Sequence, residues 1–250
     1  MNPTSEKSGR IIGSNMGFTL IEMSIVLFIV ALLLGGLLPT VSSQIEQQRR
    51  NETRKQLDEI RQALLGYAIS KGYLPCPAKS ASDGTEDRTG GICTLNKRFG
   101  FLPWTELGVK KTDSWERLFI YSATPAYTNS TTLFSLSTSP DITIKTRDAS
   151  GTLVPLSNAN AIPAVVLSHG PNGIFGTTEN GILLTSTSPG SNNVDDQKNN
   201  TPSGTANGLI FVSRDPAGPG NSTDEAFDDI VLSLSPNILF NRMVSAGKLP

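Results

Sequence analysis

Histidine is almost absent from this 250-residue chain, with a single copy, and cysteine is scarce, with two. One His and two Cys cannot build a three-His or four-Cys zinc site. Charged residues make up 17% of the chain and nearly cancel, leaving a formal charge of −1. That is below the roughly 25% usual in soluble domains. Without a basic excess, a dedicated nucleic-acid binder is not expected. Gly (23) and Pro (16) are too few for a collagen-like or wholly disordered chain. No G-x-S-x-G, H-E-x-x-H or P-loop pattern occurs. Ser168 and His169 are adjacent, so in a strand they point to opposite faces and form no triad. An enzyme is not expected.

What stands out is one long hydrophobic run. Phe18 to Leu38 reads FTLIEMSIVLFIVALLLGGLL, with Glu22 its only charge. A helix of that length spans about 31 Å, close to a bilayer core. No second such run follows, so a single span is expected. The preceding segment is polar and carries Lys7 and Arg10 against Glu6, which favours a cytoplasmic N-terminus. Residues 40–250 then cross the membrane. No small-residue signal-peptidase site follows the run, so the run is expected to be retained. Glu22 is costly inside a membrane unless it stays at headgroup depth or finds a partner.

The stretch Gly17-Phe18-Thr19-Leu20-Ile21-Glu22, behind a basic polar leader and ahead of an apolar helix, resembles the class III signal of type IV pilins and type II secretion pseudopilins. The resemblance implies a cleaved leader, residues 1–17, cut between Gly17 and Phe18 by a prepilin peptidase that N-methylates Phe18. It implies that Glu22 pairs with a neighbouring subunit's N-terminal amine, giving the buried carboxylate its partner. Pro39 falls where many pilins carry a helix-bending proline. Further on, Asp113-Ser114-Trp115 with Tyr121 is similar to the D-x-W…Y motif of the major pseudopilin. Ser168-His169-Gly170-Pro171-Asn172-Gly173 is similar to its S-x-G-x-x-G turn, and Asp228-Asp229-Ile230 to its terminal D-I strand. Glu116 stands where a Gly usually follows the Trp, and no Trp follows Ile230.

The expected fold is α+β and pilin-like: a long N-terminal helix, its first half transmembrane, packed on an antiparallel β-sheet domain. Residues 18–38 form the membrane and assembly helix, 39–71 its amphipathic continuation, and 72–250 the periplasmic globular domain. Val41, Ile45, Leu57, Ile60, Leu64 and Ala68 recur at helical spacing. Nine charges of mixed sign between Glu46 and Arg61 read as a solvated face with i,i+3 and i,i+4 pairs. Strands are expected at 118–121, 132–136, 142–144, 164–167, 181–184, 209–212 and 230–232, and a short helix at 238–244. Residues 189–207 read as a mobile excursion.

In an oxidising periplasm Cys76 and Cys93 are expected to form a structural disulfide, with free thiols the alternative. Asp224, Glu225, Asp228 and Asp229 offer hard oxygen ligands in a Gly/Pro/Asn-rich loop. The resemblance implies calcium there, since the major pseudopilin binds it in the corresponding loop, and makes Asp224, Asp228 and Asp229 the candidate ligands. A solvated acidic turn is the alternative. The function implied is a structural subunit of a type IV pilus-like or type II secretion pseudopilus filament, of low copy number given 250 − 17 = 233 residues after the cut. Its partners would be other pilin or pseudopilin subunits, the prepilin peptidase, the inner-membrane assembly platform and the membrane. The other class is a minor-pilin adhesion module presenting a ligand-contacting β domain.

Overall fold

The N-terminal helix starts where a reciprocal cap can form. In the computed structural model, Thr19 N and Oγ1 donate to Glu22 Oε2 at 2.8 and 2.9 Å, and Glu22 N donates back to Thr19 Oγ1 at 3.3 Å. This capping box satisfies amides that the first turn leaves free. Helix α1 then runs Leu20–Lys71, 52 residues. It stops at Gly72, whose φ of +87° is a left-handed cap and whose N–H returns to Ala68 O at 2.7 Å. The structure describes residues 17–156, 158, 161–185, 194–200, 209–216 and 227–249, except the side chains of 34–41. Helix α1 runs on through the end of the expected span 18–38 and through Pro39, where a bend is expected, with the side chains from 34 to 41 outside those described. Among the described residues no helix is long and apolar enough to cross a membrane.

The chain divides into two units, Met1–Ile45 and Glu46–Pro250. In the first, every described side chain is exposed. Ile45, expected on the packed stripe, is exposed because the stripe begins only within the second unit; Val41 lies outside the described side chains. In the second unit, Leu57, Ile60, Leu64, Leu65 and Ala68 recur at three- and four-residue steps and are all buried.

That stripe packs on a four-stranded antiparallel sheet of order β3-β4-β7-β9. Its strands are β3 (Phe99–Phe101), β4 (Ile120–Ala123), β7 (Ala164–Ser168) and β9 (Ile230–Leu234). Tyr121 pairs with Val166, which pairs with Leu232. Side chains alternate: Tyr121, Ala123, Ala164, Val166 and Leu234 join the helix, while Ile120, Val165 and Leu167 point the other way. There they meet Ile142, Ile144 and Phe211 of a second layer. Burial on both faces explains the unbroken apolar run at 164–167.

The second layer contains β5 (Thr143–Arg147), β6 (Leu153–Pro155) and β8 (Ile210–Val212) in the order β6-β5-β8. β5 pairs antiparallel with β6 but parallel with β8. This departs from the all-antiparallel expectation, because the return to β8 is a long crossover that carries a helix. A two-stranded hairpin, β1 (Arg88–Thr89) and β2 (Ile92–Cys93), turns at Gly90-Gly91, both at positive φ as a type I′ turn needs. Cys76 and Cys93, 17 residues apart, form the expected disulfide. A loop of this size confers about 3 kcal/mol in the chain-entropy model.

Other expectations are corrected. Residues 132–136 form no strand, because Asn129 Oδ1 accepts the amides of Thr131 and Thr132 at 2.8 Å each and folds the chain into a turn. Residues 181–184 make only an isolated bridge, Thr177 to Leu183. Two four-residue helices, α2 (Trp104–Leu107) and α3 (Pro125–Thr128), lie between the early strands. Within the supposed excursion, Val194–Asn200 is a helix, α4. The rest of 189–207 lies outside the described residues. The C-terminal helix α5 spans Pro236–Ser245, with Pro at its first turn and Leu239 and Met243 buried.

Candidate functional site

The expected cleavage position sits before the helix. Gly17 and Phe18 are non-helical and exposed, Phe18 to 82%, and nothing lies within 4 Å of where a Gly17 side chain would begin. Glu22 is exposed and held by Thr19 alone among the described residues.

The second cluster forms where β7 ends. Ser168 Oγ donates to Asp113 Oδ2 at 2.6 Å. Asp113 Oδ1 accepts the amides of Trp115 (2.9 Å) and Arg117 (3.0 Å), closing the D-x-W turn. Burial pushes the Asp113 carboxyl above its ordinary range, and these donors oppose the shift. The turn also touches α1: the Trp115 indole N–H donates to Glu46 Oε2 at 3.3 Å, and Ser114 N to Thr53 Oγ1 at 3.2 Å. Arg117 donates to the carbonyls of Gly170 and Pro171. Thus two motifs more than fifty residues apart are bonded together.

Glu116 occupies φ +64°, a conformation that costs a side-chain-bearing residue about 1–2 kcal/mol. Its side chain is exposed. Glu116→Gly is therefore expected to raise unfolding stability by about 0.5–1 kcal/mol, after the greater chain entropy of glycine is subtracted. Urea denaturation of the unit Glu46–Pro250 measures it; a loss of stability would show that the Glu116 side chain matters in some other way.

The terminal D-D-I motif meets the glycine turn. Asn172 N donates to Asp228 Oδ2 at 2.6 Å, and His169 Nδ1 lies 3.2 Å from Asp229 Oδ1. From α4, Asn199 Nδ2 donates to Asp229 Oδ2 at 2.8 Å, while Asn199 also pairs with the Val212 backbone. Asp196, on the same short helix, accepts from Asn172 Nδ2 at 3.3 Å. Its neighbour Asp195 is fully buried and clamped by Arg147 (2.7 and 2.8 Å) and Arg214 (3.0 Å). Two arginines around one carboxylate fix α4 on β5 and on the segment after β8.

Asp196, Asp228 and Asp229 are all buried, and an oxygen of each lies within 4.8 Å of the others. Asp196 Oδ1 and Asp228 Oδ1 accept no hydrogen bond among the described residues. Burial, with Asp229 and Asp228 adding to it, pushes Asp196 up to about 8, and burial pushes Asp228 up to about 6. Three converging carboxylates, two of them with unsatisfied oxygens, must carry protons or face a cation. Hard oxygen donors of this kind suit Ca²⁺ or Mg²⁺.

Of the expected ligands, Asp228 and Asp229 come together and Asp224 lies outside the described residues. Asp196 joins them in place of an expected ligand. Its signal is the pair Asp195-Asp196 with Asn199 one turn later, which makes an acidic first turn for a short helix. Ser168 and His169 engage different carboxylates, Asp113 and Asp229. No protein-family model, curated protein or solved structure matches the chain.

Proposed function

We propose that this chain is a processed structural subunit of a type IV pilus-like or type II secretion pseudopilus filament. The observation that carries this reading is an apolar helix whose described side chains before Glu46 are all exposed, directly behind the Gly17-Phe18-Thr19-Leu20-Ile21-Glu22 signal. Leu20 is 93% exposed, Ile21 67%, and Leu27 and Phe28 66% each. Exposed apolar surface of this extent needs a bilayer or other subunits against it. The leader is cut between Gly17 and Phe18, and Phe18 is N-methylated. The helix first anchors the chain in the inner membrane, with the domain on the periplasmic side, and then joins a bundle of like helices. Glu22 leaves its Thr19 cap to pair with the terminal amine of a neighbour, which supplies the charge partner that burial requires. A divalent cation bound by Asp196, Asp228 and Asp229 fixes α4 and the glycine turn beneath the D-D-I strand.

The test is mass spectrometry of sheared filaments and washed envelope, searching for a peptide that begins at N-methyl-Phe18. Gly17→Ala should leave the longer precursor. Glu22→Ala should be cut normally yet fail to enter filaments. A wild-type chain that still begins upstream of Gly17 in every fraction removes the reading.

A further inference from the structure

The single histidine of the chain stands at the end of β7 and has no part in the filament reading. The β7–β9 register pairs Ser168 with Ile230, so one residue further on it sets His169 opposite Asp229, where cross-strand side chains meet. Successive side chains of a strand point to opposite faces. Ser168 accordingly turns to Asp113, and His169 Nδ1 lies 3.2 Å from Asp229 Oδ1. Both side chains of the second pair are wholly buried. The turn behind the imidazole is tight. Gly173 N donates to His169 O at 3.2 Å, and a side chain at Gly176 would begin 3.1 Å from His169 Cβ.

The surroundings select one form of the ring. His169 Nε2 has no hydrogen-bond partner among the described residues. An imidazolium, or the tautomer protonated at Nε2, would bury an N–H without an acceptor. It is the neutral ring with its proton on Nδ1 that donates to Asp229 Oδ1. Asn199 Nδ2 donates to the other oxygen, Oδ2, at 2.8 Å. Each Asp229 oxygen thus takes one N–H and keeps a second lone pair.

Asp196 and Asp228 differ. Both are more than nine-tenths buried, with relative exposures of 0% and 7%. Their Oδ2 atoms accept from Asn172, while their Oδ1 atoms accept nothing among the described residues. One carboxylate held from both sides therefore stands beside two with open oxygens. The held one fixes a place for a cation, and the open ones close on it. A neutral donor suits this task, because a cationic one would cancel the charge that Asp229 offers. Groups one step behind the ligands of a metal centre orient them and tune affinity in this way.

We propose that His169 is the positioning residue of the cation site: as the neutral Nδ1–H tautomer it fixes the Asp229 carboxylate toward Asp196 and Asp228 and sets the affinity for calcium. The inference rests on the cation reading of that cluster.

The experiment uses the full-length chain in detergent micelles, stripped with a chelator and dialysed, with calcium ions as the probe. Calorimetric titration is expected to show His169→Leu binding calcium tenfold or more weaker than the wild type, about the loss that follows removal of such a partner. His169→Asn places an amide N–H where the imidazole Nδ1–H stands, and should stay within about threefold of the wild type, well short of that loss. Nitrogen-15 NMR supplies a second readout, since one histidine gives one pair of ring signals. Nδ1 should carry the proton and Nε2 should not, and calcium should move the Nδ1–H resonance. Wild-type affinity in His169→Leu overturns the inference, as does no rescue by His169→Asn. So does a proton on Nε2, or a ring whose signals calcium leaves in place; these two decide if His169→Leu does not fold. Equal melting losses of His169→Leu with and without calcium would make the pair a structural contact only. A wild type that takes up no calcium removes the cation reading and this inference together, and leaves the filament reading to the N-methyl-Phe18 peptide.

Discussion

Gly170→Ala is expected to destabilise the unit Glu46–Pro250 by about 3–4 kcal/mol, among the larger effects a single substitution produces. Gly170 holds φ +57°, and a side chain there would begin 2.2 Å from the Asp228 carbonyl oxygen. The obstacle is backbone, held in place because Asp228 directly precedes Asp229 and β9. Relief requires moving the turn away from the strand, which breaks the Asn172–Asp228 bond and displaces a carboxylate of the cluster. Gly173→Ala supplies the comparison. It also has positive φ, +60°, but its new carbon would meet the Arg117 guanidinium, the far end of a flexible side chain. Its cost should be smaller by at least about 1 kcal/mol, the part of the penalty that overpacking against fixed backbone adds. Urea denaturation of both variants decides; equal costs would mean that the left-handed conformation dominates and the contact with Asp228 does not.

The second large effect is the response to divalent cation, and it depends on pH. Without cation, Asp196 titrates at about 8 and Asp228 at about 6, against an ordinary Asp value near 4 in the unfolded chain. Between those values the folded state holds more protons than the unfolded one. The stability these protons confer is fully present below about pH 4 and is lost as pH rises to about 8. The melting temperature of the metal-free unit should therefore fall over that interval. A cation replaces the protons, so calcium should raise the melting temperature most at pH 8 and least at pH 5. At a hundred times its dissociation constant the gain is about 2.7 kcal/mol, or roughly 5–10 °C for a domain of this size. Asp196→Asn should remove the part of the fall between about pH 6 and 8, leaving the Asp228 part below it, and abolish the calcium response. Thermal unfolding with millimolar calcium or a chelator measures this. No shift at pH 8 would leave the three carboxylates as a proton-sharing cluster without a metal.

Much of the fold is legible along the chain because it rests on local rules. The buried stripe Leu57, Ile60, Leu64 and Ala68 is written at helical spacing, and Gly72 ends the helix by its conformation. The run at 164–167 reads as a strand and is one, and the structure shows it buried on both faces. The Cys76–Cys93 bridge follows from there being only two cysteines. Residues 132–136 mislead because their apolar content suggests a strand, whereas the Asn129 side chain captures two amides first. Helix α4 escapes a reading by periodicity because seven residues with one apolar side chain show none. What holds them is the pair of arginines around Asp195, supplied from positions 147 and 214.

By itself the sequence determined the long helix, the disulfide, the apolar segment behind Gly17 and the turn glycines, since each follows from residues close together or from side-chain chemistry that needs no neighbour. Tertiary structure alone decided that the Asp113–Ser168 pair and the Asp228–Asp229 pair meet at the glycine turn, that Asp196 joins the second, and that β5 pairs parallel with β8. The reason is that burial creates the chemistry. An aspartate on a solvated loop keeps its ordinary charge, and only when strands β7 and β9 and helix α4 close over three of them do desolvation and mutual repulsion make the site need a cation or protons.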